Sequence, residues 1–333
     1  MKLHQSLLSC IRRIPQEILS DIFVRCLPLE TYIEPDAKTA PLVLMGVCRE
    51  WRRVALKTPK LWCSLLIRHQ GKQQHMDLNH HWLARAKGCP LSVSIGTRMP
   101  KIPLQLMSLL LPYTNRTTRL HIISESPITL QVLLGDVPML EHLTVEGTRI
   151  WGSKIAIAQP EPRLCSLSIN RVTLDSYTVL SAFDLAWAHL KQLHVQLGSN
   201  PEPEQARDTD NRIVLTLLEH CPHLEDFAFS PVFIDIPQTD ITPAITHAHL
   251  RSLNVGVLRG VGYFLDALTL PALRHLQICD LQNAPSTRRR NKFRTFVVRS
   301  QCALETLKIH PSTKEDRAEY AALLPTLKHL DMD

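Results

Sequence analysis

The sequence predicts an α/β chain: a small N-terminal helical module followed by an irregular solenoid, a curved parallel sheet backed by helices. Three observations carry this. Residues 11–67 hold three short amphipathic segments with apolar residues at three-four spacing. After residue 80 a short pattern recurs: apolar, two residues, apolar, one residue, apolar. The residues on either side of its middle position are almost all polar, as on a strand with one wet face. The expected organisation is a helical module at 11–67, a connector at 68–81 and a solenoid at 82–333.

The first helix carries Ile14, Ile18, Leu19, Ile22, Phe23 and Cys26 on its apolar face, with Gln16, Glu17, Ser20, Asp21 and Arg25 opposite. Pro15 suits the first helical position, where its missing N–H is no loss. A three-proline polar loop at 27–41 separates this helix from a second one. There Leu44, Val47, Cys48, Trp51 and Ala55 share a face opposite Arg49, Glu50, Arg52 and Arg53. Leu61, Trp62 and Leu65 form the third apolar piece, after Pro59. So small a module cannot comfortably hide both Trp51 and Trp62, which leaves an apolar side for a partner. The polar stretch 68–81 reads as an exposed connector.

Eight copies of the pattern follow. They begin at Leu140, Leu164, Leu190, Leu224, Leu250, Leu273, Leu304 and Leu327, with weaker copies at 90–95 and 119–123. The intervals run from 23 to 34 residues, and the two longest contain extra helix at 211–221 and 289–302. Pro138, Pro162, Pro222, Pro271 and Pro325 each stand two residues before a copy, where proline stops a helix and favours extended chain. Two columns flank the middle positions. One is His142, Ser166, Gln192, Asp226, Ser252, His275, Thr306 and His329. The other is Thr144, Ser168, His194, Ala228, Asn254, Gln277, Lys308 and Asp331. Only Ala228 is apolar, so this face is expected to be open. Pro-rich stretches at 199–203 and 230–243 should project as loops.

The array resembles the leucine-rich repeat, whose period is about 20–29 residues. It departs from that family at the ninth position, where Asn or Cys is usual. Here stand Thr148, Val172, Gly198, Val232, Leu258, Leu281 and Ser312, so an irregular array is expected. The N-terminal blocks Ile14-Pro15-Gln16-Glu17-Ile18-Leu19, Val47-Cys48-Arg49-Glu50-Trp51-Arg52 and Leu61-Trp62 resemble the F-box. Its core is a Leu-Pro-x-Glu-Ile-Leu start, a Val-Cys-x-x-Trp-Arg second helix and a Leu-Trp third element. The long insert before Ala40 is similar to the form common in fungal F-box proteins, and so is the stretch at 82–95. The resemblance implies a substrate-recognition adaptor of a cullin-RING, SCF-type ubiquitin ligase. It implies docking on the Skp-type linker, and through it a cullin, by Ile14, Pro15, Ile18, Leu19, Val47, Cys48, Trp51, Leu61 and Trp62. The repeats would then hold a protein substrate, with His142, Thr144, Gln192, His194, Asp226, Asn254, His275, Gln277 and Lys308 as the contact face. The alternative is a leucine-rich scaffold not coupled to ubiquitination, its helical module a cap for the array.

Composition is that of an ordinary globular chain: 333 residues, 44% hydrophobic and 21% charged. Scarce glycine (11) beside plentiful proline (23) argues against a glycine-rich phosphate loop. Neither nucleophile-elbow, zincin, P-loop nor dinucleotide glycine motifs occur, so the expectation is a non-enzymatic chain without cofactor. The net charge of +7 allows an anionic partner without requiring one. The basic run Arg288, Arg289, Arg290, Lys292, Arg294 reads as the solvated side of a helix that buries Phe296, Val297 and Val298, ahead of a nuclear signal or a nucleic-acid contact. His220, Cys221 and His223, like the pairs His80/His81 and His247/His249, fit no closed metal spacing. Nine cysteines, an odd number without a C-x-x-C pair, read as reduced, packed thiols. With no transmembrane run and no secretory signal, the expected location is cytoplasmic or nuclear.

Overall fold

The computed structural model describes residues 14–69, 73–97, 103–123, 127–147, 149–150, 154–157, 159–174, 179–198, 213–230, 234–235, 245–259, 261–280, 286–310 and 314–331. The chain is mixed α/β, with parallel strands backed by helices, and divides into two compact units, Met1–Ile122 and Ile123–Asp333.

The first unit opens with α1 (Gln16–Arg25), α2 (Leu42–Val47), α3 (Arg49–Lys57) and a 3-10 turn at Pro59–Trp62. Pro15 precedes α1 as its cap instead of entering it. Its carbonyl accepts from the Leu19 N–H at 2.9 Å. Glu17 in the first turn and Arg25 in the last complement the helix dipole. The second amphipathic segment is two helices and not one. Cys48 is extended between them, and its Sγ accepts from the Trp51 N–H at 3.5 Å, capping α3.

Then come β1 (Ser64–His69), α4 (Gln73–Arg85), β2 (Leu91–Thr97), α5 (Leu104–Leu110) and β3 (Thr117–Ile123). β1 and β2 pair in parallel from Ser64↔Ser92 to His69↔Thr97, and β3 lies beside β2. The stretch expected as a connector therefore holds the end of β1 and most of α4. Its polar composition belongs to one helix face: Asp77, His80 and His81 are exposed, while Asn79, Trp82 and Leu83 are buried.

Trp82 also explains how Trp62 is hidden. The two rings meet edge to face at 4.9 Å. The Trp62 indole donates to the Ala55 carbonyl and that of Trp82 to the Ser64 carbonyl, each at 3.0 Å. The Arg85 guanidinium lies 4.7 Å from the Trp62 ring centre. The loop at 27–41 is not plainly exposed either. Ile33, Ala40 and Pro41 are buried, and the Ile33 carbonyl accepts from the Leu66 N–H at 2.8 Å.

The second unit contains α6 (Pro127–Leu134), β4 (His142–Glu146), β5 (Ser166–Leu174), β6 (Gln192–Leu197), α7 (Ile213–His220), β7 (Asp226–Ser230) and β8 (Ser252–Arg259). It continues with α8 (Val261–Asp266), β9 (His275–Asp280), α9 (Ser286–Ser300), β10 (Thr306–His310), α10 (Lys314–Leu323) and β11 (His329–Asp331). Spatial order follows chain order from β4 to β11, and every neighbouring pair is parallel.

The register joins equivalent positions of successive copies. His142 faces Ser166, which faces Gln192, and so on through Asp226, Ser252, His275 and Thr306 to His329. The core side is as regular. In the seven copies from Leu140 to Ile309, all three apolar positions are buried. Leu327 and Leu330 of the last copy are half-buried, and Met332 lies outside the described residues.

The two long intervals hold α7 and α9. Phe293 and Phe296 of α9 are fully buried, and Phe293 meets Tyr320 of α10 at 4.7 Å. Val298, expected to be inside, is exposed because it falls on the outer side of α9. Irregularity sits at strand ends. The β5–β6 register shifts after Asn170, where Arg171 takes a left-handed φ of 52°. Gly256 passes so near β7 that a Cβ there would stand 3.0 Å from Ser230 Oγ. The loop predicted at 199–203, and most of 230–243, lies outside the described residues. Ile234–Asp235 within it pairs with β8.

Candidate functional site

Two surfaces hold the residues singled out from sequence, one in each unit. In the first unit the apolar face of α1 is split between two tasks. Leu19 and Phe23 turn inward, while Ile18, one residue away, is 52% exposed and Ile22 40%. Val47 at the end of α2 is 56% exposed, and Val43, one turn earlier, is also exposed. The break at Cys48 leaves both Val47 and Cys48 on the outside. Pro15 is exposed, and Ile14 and Trp51 are half-buried. The Trp51 ring is tilted against Phe23 at 4.9 Å, which fixes it without covering it.

Of the nine residues expected to dock a linker, Leu19, Leu61 and Trp62 therefore sit in the chain's own core, and Ile14, Pro15, Ile18, Val47, Cys48 and Trp51 keep exposed surface. Ile22 and Val43 were not in that set. Their signal was present, since each lies four residues from a chosen one and shares its helix face. Charged groups surround the apolar set. Glu50 pairs with Arg53 at 2.7 Å and accepts from Gln16 at 3.1 Å, and Arg52 donates to the Met45 carbonyl at 3.0 Å. An apolar centre with a polar border is the anatomy of a protein interface. Cys26 and Cys48 were expected to be packed but are exposed, and all eight described cysteines are free.

In the second unit none of the sixteen column positions is buried. His142, Thr144, His194, Asp226, Asn254 and Lys308 are half-buried among their neighbours, and Gln192, His275 and Gln277 are exposed. The columns are linked across strands. His194 Nε2 lies 3.0 Å from Asp226 Oδ2, and Lys308 pairs with Asp331 at 3.1 Å. The hydrogen bond from His194 holds the Asp226 carboxyl below its ordinary range. Burial opposes this, while Ser252 and His275 add to it. The face carries hydroxyls, amides and imidazoles with few net charges, which suits directional hydrogen bonding.

The basic run lies along α9. Arg290 and Arg294 pair with Glu319 at 3.3 and 2.9 Å, and Lys292 pairs with Asp266. These carboxylates offset the positive charge that a phosphate backbone would need. Arg288 and Arg289 fall outside the described side chains.

His247 is buried, with Nε2 2.9 Å from the Cys221 carbonyl, while His223 and His249 face one another at 5.8 Å. Among the described residues no group of three or more His, Cys, Asp or Glu is placed to hold a metal ion. Nor is any described helix long and apolar enough to cross a membrane. No model of a known protein family matches the chain, and no curated protein matches it.

Proposed function

We propose that the chain is a non-enzymatic adaptor. Its N-terminal helices act as an F-box and dock on the Skp-type linker of a cullin-RING ubiquitin ligase. The later strands act as an irregular leucine-rich array whose polar face holds a protein substrate. The observation that carries this is the exposed apolar set on α1 and α2: Ile18, Ile22, Val43 and Val47, with Pro15, Cys48 and Trp51 beside them. The unit already has its own closed core in Leu19, Phe23, Val54, Ala55, Leu61 and Trp62, so these residues are surplus to folding. Covering a Val or Ile side chain is worth about 1.5–3 kcal/mol, and several together suffice for a stable contact. The adaptor contributes proximity, raising the concentration of substrate lysines near an enzyme elsewhere in the assembly.

The test is co-purification with the Skp-type linker. The wild-type chain forms a stable complex. Ile18→Asp and Val47→Asp, each at an exposed position, abolish it without unfolding the chain. Failure of the wild type to associate at micromolar concentration removes the proposal. The scaffold reading predicts that failure together with intact substrate binding by the array.

A further inference from the structure

We propose that the free edge of β11, with the cavity beside it, is a docking site for an acidic, partly apolar peptide segment that adds to the sheet as a further strand. β11 is the last strand in the order, so its outer backbone N–H and C=O groups are left without a neighbouring strand among the described residues. Its core side is unfinished as well. Twenty-one equivalent positions in the preceding copies are buried, whereas Leu327 and Leu330 are half-buried. They line a cavity of about 840 Å3 together with Leu324, Arg317, Lys308 and Lys328.

The lining is positively charged. Asp331 is its one carboxylate and is engaged by Lys308, while Lys328 reaches outward to Glu305 at 2.7 Å. Arg317 is exposed and has no ion-pair partner among the described residues.

A strand alternates its side chains, and this edge asks for an apolar residue against Leu330 with acidic neighbours near Arg317 and Lys328. Backbone pairing supplies affinity, and the cations select the sequence. A second copy of the chain fits less well, because pairing two β11 edges brings the same cations together. A basic segment is excluded for the same reason. The site is independent of the linker-docking surface, so each proposal fails or stands separately.

The test uses the full chain and a capped, fluorescein-labelled peptide alternating glutamate and valine. Saturable binding by anisotropy is expected, with added amide protection at His329, Leu330 and Asp331 in hydrogen exchange. The Arg317→Glu/Lys328→Glu double variant weakens binding by at least about tenfold, and the matching lysine–valine peptide does not bind. Both substituted side chains are exposed, and Arg317→Ala, checked by circular dichroism, gives a smaller loss in the same direction. Equal binding of the lysine peptide, unchanged affinity in the double variant or no protection gain at β11 overturns the proposal. So does concentration-dependent dimerisation through β11 without peptide binding.

Discussion

Leu253→Ala separates the two faces of the array most sharply. Leu253 lies on β8, is buried, and stands in register between Phe227 of β7 and Leu276 of β9. Replacing it leaves a cavity between two neighbours that are themselves fixed by strand pairing. Such a site collapses poorly, and Leu→Ala losses at buried positions run at about 2–5 kcal/mol. The equivalent position on the last strand, Leu330, is already half wet, so its truncation should cost less than about 1.5 kcal/mol. Asn254 follows Leu253 but faces outward, and Asn254→Ala should stay within about 0.5 kcal/mol. Urea titration followed by far-UV circular dichroism measures all three, with the shift in midpoint read at constant slope. Similar losses at Leu253 and Leu330, or a large loss at Asn254, would refute the assignment of faces.

Other consequences can be checked directly. Ile18→Asp and Val47→Asp should change stability by no more than about 0.5 kcal/mol while removing linker capture, because both side chains are already in water. Burial holds the pKa of His247 below its ordinary value. The unfolded chain therefore takes up that proton first, so stability is full above the ordinary histidine range and declines as pH falls through it. His247→Gln should flatten this decline between about pH 7 and pH 5 in urea titrations, and an unchanged slope would exclude His247 as its source. Burial pushes the Cys221 thiol up to about 12 and the Cys302 thiol up to about 11, whereas Cys26 and Cys48 are exposed. Iodoacetamide at neutral pH should modify Cys26 and Cys48 in the folded chain and reach Cys221 and Cys302 only in denaturant, as peptide mass mapping would show.

The repeated strands were legible because each copy writes its own signal locally. Two apolar spacings set which side is buried, and a proline often marks where the helix stops. The register of the columns follows from the same spacing. What escaped was contact between distant segments. Nothing local in residues 68–81 signals that Trp82 will cover Trp62, so a helix read as a connector. The insert at 27–41 is polar by composition, yet Ile33 packs beside β1. The apolar face of α1 was visible, but its division into inward Leu19 and outward Ile18 depends on where α3 lies. Cys48 looked like an interior helical residue because its neighbours continue the periodicity. Its extended backbone depends on a thiol cap that composition does not announce.

The constant register across β4–β11 has a consequence for how such a chain can change. Spacing between strands varies from 23 to 34 residues without disturbing the alignment of the columns. Insertions between copies are thus absorbed in loops and helices, while a single-residue insertion inside a strand would turn its leucines into solvent. Substitutions at the outward positions disturb no packing. A new binding preference can be written there one residue at a time, leaving the instructions for folding untouched.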